Sequence, residues 1–195
     1  MSKLFLFPTV FEHKIIGKST DQLKKNTIFV PSKDRGEDIK RDYNSLNRFP
    51  RVKNILLEEF KNFAEDLGYG RDFKISSSWF TSTQPGDDGT LHNHQNSFYS
   101  AIYYYDEYDE NSGNILFENP CLRNLSLFVV PNKFDATNSH SWSFDPEKRL
   151  LIFFPSYLFH KIGINKSDKT RYSLAVNFIP TKGFGMHDSH INLTE

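Results

Sequence analysis

Between positions 50 and 67 hydrophobic residues recur at steps of three and four: Val52, Ile55, Leu56, Phe60, Phe63 and Leu67, with Lys53, Glu58, Glu59, Lys61 and Glu65 between them. That spacing predicts an amphipathic helix whose Phe-rich stripe lies against a sheet. Pro50 suits a first helical position, where its missing N–H is no loss, and Gly68 with Gly70 supplies a left-handed stop. From Asp72 onward the period changes. Short runs rich in aromatic and β-branched residues alternate with Gly, Pro, Asn and Asp clusters, and helical spacing does not return. Candidate strands cover 73–83, 91–94, 98–105, 115–118, 125–130, 140–144, 149–154, 158–164 and 170–179. The count suits a β-sandwich or jelly roll. Ahead of the helix, the apolar run 4–7 reads as a first strand, and the polar stretch 33–38 as a solvated loop or short helical piece.

Composition sharpens this picture. Phe (19) and Tyr (9) are abundant whereas Met (2) and Cys (1) are scarce, as suits pleated faces that pack aromatic rings. At 195 residues the chain fits one domain: an N-terminal strand and helix over 1–70, a β core over 71–180 and a loose tail over 181–195. Lys plus Arg and Asp plus Glu each number 24, so no bulk field draws in nucleic acid or an anionic membrane surface. A lone cysteine, Cys121, excludes an intramolecular disulfide framework and a Cys-rich zinc module, and points to a reducing, cytoplasmic setting with Cys121 itself a packed, inert thiol. No apolar run approaches the ~20 residues that span a bilayer.

The chemistry concentrates around Leu91-His92-Asn93-His94, just after the turn-rich stretch 84–89. On a strand, residues two apart share a face, so His92 and His94 can reach one ion. His160 follows much later, inside an apolar strand of the kind that lines a barrel mouth, and supplies a third imidazole. Neutral imidazoles suit Fe(II), Zn, Ni or Cu, so residue type alone does not name the metal. Arg171, Ser173, Ala175 and Asn177 alternate onto one face of the last long strand, with Tyr172, Leu174, Val176 and Phe178 on the other. An arginine aimed at the core requires a carboxylate: either an Asp or Glu of the chain or a bound dicarboxylate ligand. Tyr99, Tyr103 and Tyr105 share a face; Tyr103 is the candidate among them for a pocket-lining hydroxyl, although aromatic strand residues are more often core.

The ordered set as a whole resembles the 2-oxoglutarate and Fe(II)-dependent oxygenases found in bacteria and their phages. It comprises His-x-His, then Ser97-Phe98-Tyr99-Ser100-Ala101-Ile102-Tyr103-Tyr104-Tyr105, then Ser112-Gly113-Asn114-Ile115-Leu116-Phe117-Glu118-Asn119-Pro120, then Phe154-Pro155-Ser156 with His160, then Arg171-Tyr172-Ser173 with Asn177. The resemblance spans roughly residues 75 to 180, and the opening Leu6-Phe7-Pro8-Thr9 is similar too. It implies a mainly β, double-stranded β-helix (jelly roll, cupin-like), here with a supporting N-terminal amphipathic helix, and Fe(II) at the site where His92, His94 and His160 are the candidate ligands. It further implies 2-oxoglutarate paired with Arg171 and Ser173, with Tyr103 and Asn177 beside it. The reaction it implies consumes O2 and hydroxylates an unidentified amino-acid side chain or small metabolite while 2-oxoglutarate yields succinate and CO2.

One position departs from the wider superfamily, which carries His-x-Asp/Glu before the distal histidine. Here His94 stands two after His92, and Asn96 two after His94. A three-histidine site is the favoured arrangement; a two-histidine site completed by water or substrate, and a site without iron, are the others. A cupin-like metalloenzyme that does not use 2-oxoglutarate and a non-catalytic β-sandwich interaction module are the competing functions. Trp79 and Trp142 read as core or rim, His13 and His140 show no pattern of partners, and His187-Asp188-Ser189-His190 reads as a solvated tail.

Overall fold

The computed structural model describes residues 9–17, 20, 23, 29–31, 44–122, 127 and 129–193. Its strands are β1 (Glu12–Ile15), β2 (Phe29–Pro31), β3 (Phe73–Thr83), β4 (Tyr99–Tyr103), β5 (Ile115–Glu118), β6 (Ser141–Phe144), β7 (Leu150–Pro155), β8 (His160–Ile162), β9 (Arg171–Pro180), β10 (Gly183–Phe184) and β11 (Ile191–Asn192), with one long helix, α1 (Pro50–Asp66). Six strands form a sheet in the order β1-β7-β4-β9-β3-β2, and three form a second in the order β6-β5-β8. Apart from the parallel pair β2–β3, the ladders of both sheets are antiparallel. The architecture is mainly β, a double-stranded β-helix arrangement of two packed sheets.

The helix forms where the periodicity places it. Pro50 opens it, and its end is a Schellman turn: Tyr69 N–H donates to Ala64 O at 2.9 Å and Gly68 N–H to Glu65 O at 2.9 Å. Gly68 takes φ +82°, a left-handed angle that a side chain would oppose. The buried stripe Val52, Leu56, Phe60 and Phe63 lies on the outer face of the large sheet. Phe60 stacks on Phe178 with ring centroids 3.9 Å apart, and Phe63 on Phe153 at 5.3 Å. Each fully buried ring of this kind contributes on the order of 3 kcal/mol through burial alone.

The inner face of the large sheet meets the small sheet. Ile102, Tyr104, Leu150, Ile152 and Phe154 from one side pack with Ile115 and Phe117 from the other. Beyond β8 the small sheet is extended by the segment leading to the histidines. Gly89 N–H donates to Ile162 O, His92 and His160 exchange both backbone hydrogen bonds, and His94 N–H donates to Ser156 O. Gly89 is required there, because a Cβ would come within 2.9 Å of the Ile162 Cβ. The expected strand 91–94 is therefore realised as one isolated antiparallel bridge, His92 to His160.

Other expectations shift or fall away. The strand at 4–7 and the loop at 33–38 lie outside the described residues. Of 125–130 only Leu127, Val129 and Val130 are described; they are exposed and outside any strand. The charged run Glu12-His13-Lys14, in contrast, forms edge strand β1 against β7. Cys121 is exposed rather than packed, because it sits in a turn past the end of β5. The tail carries a two-residue hairpin, β10 with β11. Among the described residues no helix is long and apolar enough to cross a membrane.

Candidate metal and anion site

In an antiparallel ladder, directly opposed residues point to the same face, so the bridge between His92 and His160 sends both imidazoles to one side. Two residues further, His94 joins them. Ring centroids lie 4.4 Å apart for His92 and His160, 4.9 Å for His94 and His160, and 5.2 Å for His92 and His94. One ligand nitrogen from each ring lies within 4.8 Å of the others. The Nε2 atoms of His92 and His94 are 3.3 Å apart. Two ligands sharing an ion at ~2.1 Å would sit ~3.0–3.4 Å from each other, so this spacing suits a common ion.

The other edge of each ring is tied to an oxygen. His92 Nδ1 meets Thr90 O at 2.7 Å and His160 Nδ1 meets Leu158 O at 2.9 Å. A carbonyl only accepts, so both Nδ1 atoms carry the proton and both Nε2 atoms carry the lone pair. His94 Nδ1 lies 2.8 Å from Asn177 Oδ1 and 2.8 Å from Ser100 Oγ. Asn177 is itself pinned, with Ser100 Oγ donating to its Oδ1 and its Nδ2 donating to Ser77 Oγ at 3.0 Å. Ser156 Oγ adds a further contact to Ser100 at 2.8 Å. The result is three lone pairs facing one another, an arrangement that repels itself and attracts a cation. Protonation does not relieve it. Burial first, and then the neighbouring His92, hold His94 down to about 4; burial, and then His92 and His94, hold His160 down to about 3.

Arg171 opens β9 and is only 1% exposed. Its Nη2 donates to the Tyr104 hydroxyl at 2.7 Å, and its guanidinium lies 4.9 Å from the centre of the same ring. Its Nε and Nη1 are buried without any partner. Among the described residues no carboxylate pairs with it, so the expected Arg to Asp or Glu alternative is not realised there. A desolvated guanidinium with two nitrogens left without partners is an anion seat. Ser173 follows on the same face and is also buried.

The remaining expectations divide. Tyr103 does not face this cavity. It belongs to the helix side of the large sheet with Tyr99 and Tyr105, and its hydroxyl meets that of Thr20. The inward tyrosine is Tyr104. Asn177 faces inward, but its amide serves His94, Ser100 and Ser77 rather than an open pocket. Trp79, expected as core or rim, sets its ring against His94 with centroids 5.3 Å apart. Trp142 is nearly half exposed on β6. A groove of about 710 Å³ runs beside the loop that carries His94, with Tyr69, Phe98, Tyr157, Asn93 and Gln95 in its lining and, among the described residues, no carboxylate, Lys or Arg there.

Comparison with known proteins adds a family. The family model described as "Putative 2OG-Fe(II) oxygenase" matches residues 77–177, just over half of the chain and the whole span from β3 to the end of the site on β9. No curated protein sequence matches. Among solved structures, EvdO2 from Micromonospora carbonacea var. aurantiaca superposes with a TM-score of 0.54 at 13% identity, covering 76% of this chain and 70% of that one. An oxidoreductase of the 2OG-Fe(II) oxygenase family from Burkholderia pseudomallei matches with a TM-score of 0.45 at 10% identity, over 60% of this chain and 49% of that one. A prolyl-4-hydroxylase from Pseudomonas putida matches with a TM-score of 0.37 at 20% identity, over 54% and 50%. The chain spans about half the length of several of these structures. At 13% identity the likeness to EvdO2 speaks to the fold alone.

Proposed function

We propose, for a chain that belongs to the 2OG-Fe(II) oxygenase family, that it hydroxylates an amino-acid side chain or small metabolite with O2, Fe(II) and 2-oxoglutarate. Proteins of this family use Fe(II) and 2-oxoglutarate. Bound iron would supply the oxidative chemistry in which 2-oxoglutarate and O2 yield succinate and CO2 and one oxygen atom goes to the substrate.

The observation that carries the reading is the convergence of three Nε2 lone pairs whose rings are each fixed through Nδ1. His92, His94 and His160 would hold the ion. Histidine in place of the carboxylate leaves the site one unit more positive, which favours an anionic cosubstrate. Arg171 would pair with the distal carboxylate of 2-oxoglutarate, with Ser173 beside it, and Asn177 would keep the His94 ring turned toward the metal. A cupin-like enzyme that dispenses with 2-oxoglutarate would leave buried Arg171 without an acceptor, and an interaction module would leave three lone pairs opposed for no purpose. The uncharged groove beside His94 favours a substrate neutral where it meets the protein. We place the reaction in the cytoplasm, where 2-oxoglutarate is supplied and iron stays ferrous.

Anaerobic titration with Fe(II) and then 2-oxoglutarate tests this. A weak visible charge-transfer band should develop and disappear on admission of O2, with succinate formed. Folded protein that takes up neither Fe(II) nor 2-oxoglutarate would overturn the reading.

A further inference from the structure

The β3–β9 ladder ends in three buried polar atoms without partners: Nε and Nη1 of Arg171 and Oγ1 of Thr83. Thr83 and Arg171 are directly opposed in the antiparallel register, so their side chains leave the same face with Cβ atoms ~4.5–5.5 Å apart. Thr83 has no exposure at all. Its backbone is satisfied, since the Asn165 amide donates to its carbonyl at 2.9 Å; only the hydroxyl is left over. Tyr104 borders the same guanidinium. Its hydroxyl accepts from Arg171 Nη2 and so keeps its own proton to donate, and burial raises its pKa, so that proton stays in place.

Donors thus gather from β3, β9 and the residue after β4, and among the described residues no carboxylate pairs with the guanidinium they surround. A buried hydroxyl and two guanidinium nitrogens left open are each costly, and they are rarely found together unless a ligand completes them. The complementary group is a carboxylate, with two oxygens and about four lone-pair sites.

We propose that Thr83 is a cosubstrate-positioning residue whose hydroxyl, with that of Tyr104, donates to the same distal carboxylate that Arg171 pairs. This rests on the 2-oxoglutarate reading above. It adds a length gauge. The guanidinium tolerates a displaced carboxylate, but a short hydroxyl fixed on a central strand does not. A 2-oxo diacid one methylene longer, 2-oxoadipate, would keep the charge pairing and lose the Thr83 bond.

The test is calorimetric titration of protein loaded with Mn(II), without O2, using 2-oxoglutarate and 2-oxoadipate. Thr83→Val, which keeps the shape and removes the hydroxyl, should weaken 2-oxoglutarate by about ten- to a hundredfold, the range for a hydrogen bond to a charged group. It should leave Mn(II) affinity unchanged and narrow the preference over 2-oxoadipate, and Thr83→Ser should restore both. Without cosubstrate, Thr83→Val should melt at the same temperature as wild type or higher, because an unpartnered buried hydroxyl has been removed. Equal 2-oxoglutarate affinity in wild type and Thr83→Val overturns the assignment of Thr83 while leaving the oxygenase reading intact. A lower melting temperature for Thr83→Val without cosubstrate also overturns it, by marking the hydroxyl as structural. Metal-loaded wild type that binds no 2-oxoglutarate overturns the oxygenase reading and this proposal with it.

Discussion

The two faces of β9 obey opposite rules. Outward, Leu174, Val176 and Phe178 are fully buried against α1 and satisfy every demand of the core. Inward, Arg171, Ser173 and Asn177 are almost as buried, yet they are polar, and Arg171 keeps donors with no acceptor. One face has finished its interactions when the chain is folded; the other has not. Stability and ligand binding are therefore separable on a single strand, at alternate residues, and substitutions on the two faces should fail in different ways.

The largest effect is expected on the outer face. Phe60→Ala removes a ring that stacks on Phe178 and touches Phe73 and Phe153 edge-on, and should destabilise the protein by about 3–5 kcal/mol in chemical denaturation. Metal affinity measured on the molecules that remain folded should not change. Arg171→Leu should do the reverse: 2-oxoglutarate affinity falls by at least about thirtyfold, while the melting temperature of the free protein holds or rises because a buried unpaired charge is gone. A variant that unfolds instead would mean that Arg171 serves the core after all.

Asn177→Ala tests the inner face from behind. Loss of the acceptor at His94 Nδ1 frees the ring and its tautomer, and Fe(II) or Co(II) affinity should drop about ten- to a hundredfold. Asn177→Asp, which retains an acceptor oxygen at that place, should recover most of it.

The smallest effect is one of pH. His94 and His160 titrate normally in the unfolded chain, near 6.5, and are held to about 4 and about 3 when folded. The unfolded state therefore binds more protons than the folded state between those values, and stability falls as pH drops through 6.5. For metal-free protein, a loss of about 1–2 kcal/mol is expected between pH 7.5 and 6. His94→Phe should show a shallower decline in melting temperature over that range, and a slope equal to that of wild type would count against the burial of His94 as its cause.

How much of this the residues reveal by themselves depends on whether a pattern is local. The helix at 50–66 and strands such as 73–83 and 115–118 were legible because period, breakers and β-branched content act within a few residues. His-x-His was legible for the same reason, since a spacing of two fixes a common face whatever lies opposite. The choice between the faces of β4 was not. Every residue from Tyr99 to Tyr103 is buried, so hydrophobicity does not separate the side under α1 from the side over the cavity, and the face of Tyr99, Tyr103 and Tyr105 offers its candidate hydroxyl on the helix side. Nothing short-range distinguishes Asn177 as a support for His94, or Trp79 as its neighbour; each contact joins residues far apart along the chain.

The chain alone thus determined where the long helix and the long strands lie, and it brought forward three imidazoles and one guanidinium as candidates for chemistry, because propensity and alternation are short-range properties of the backbone. Tertiary structure decided which side of each strand is the inside, that His92 opposes His160, and that Arg171 opposes Thr83, because strand register is set by pairing between distant segments.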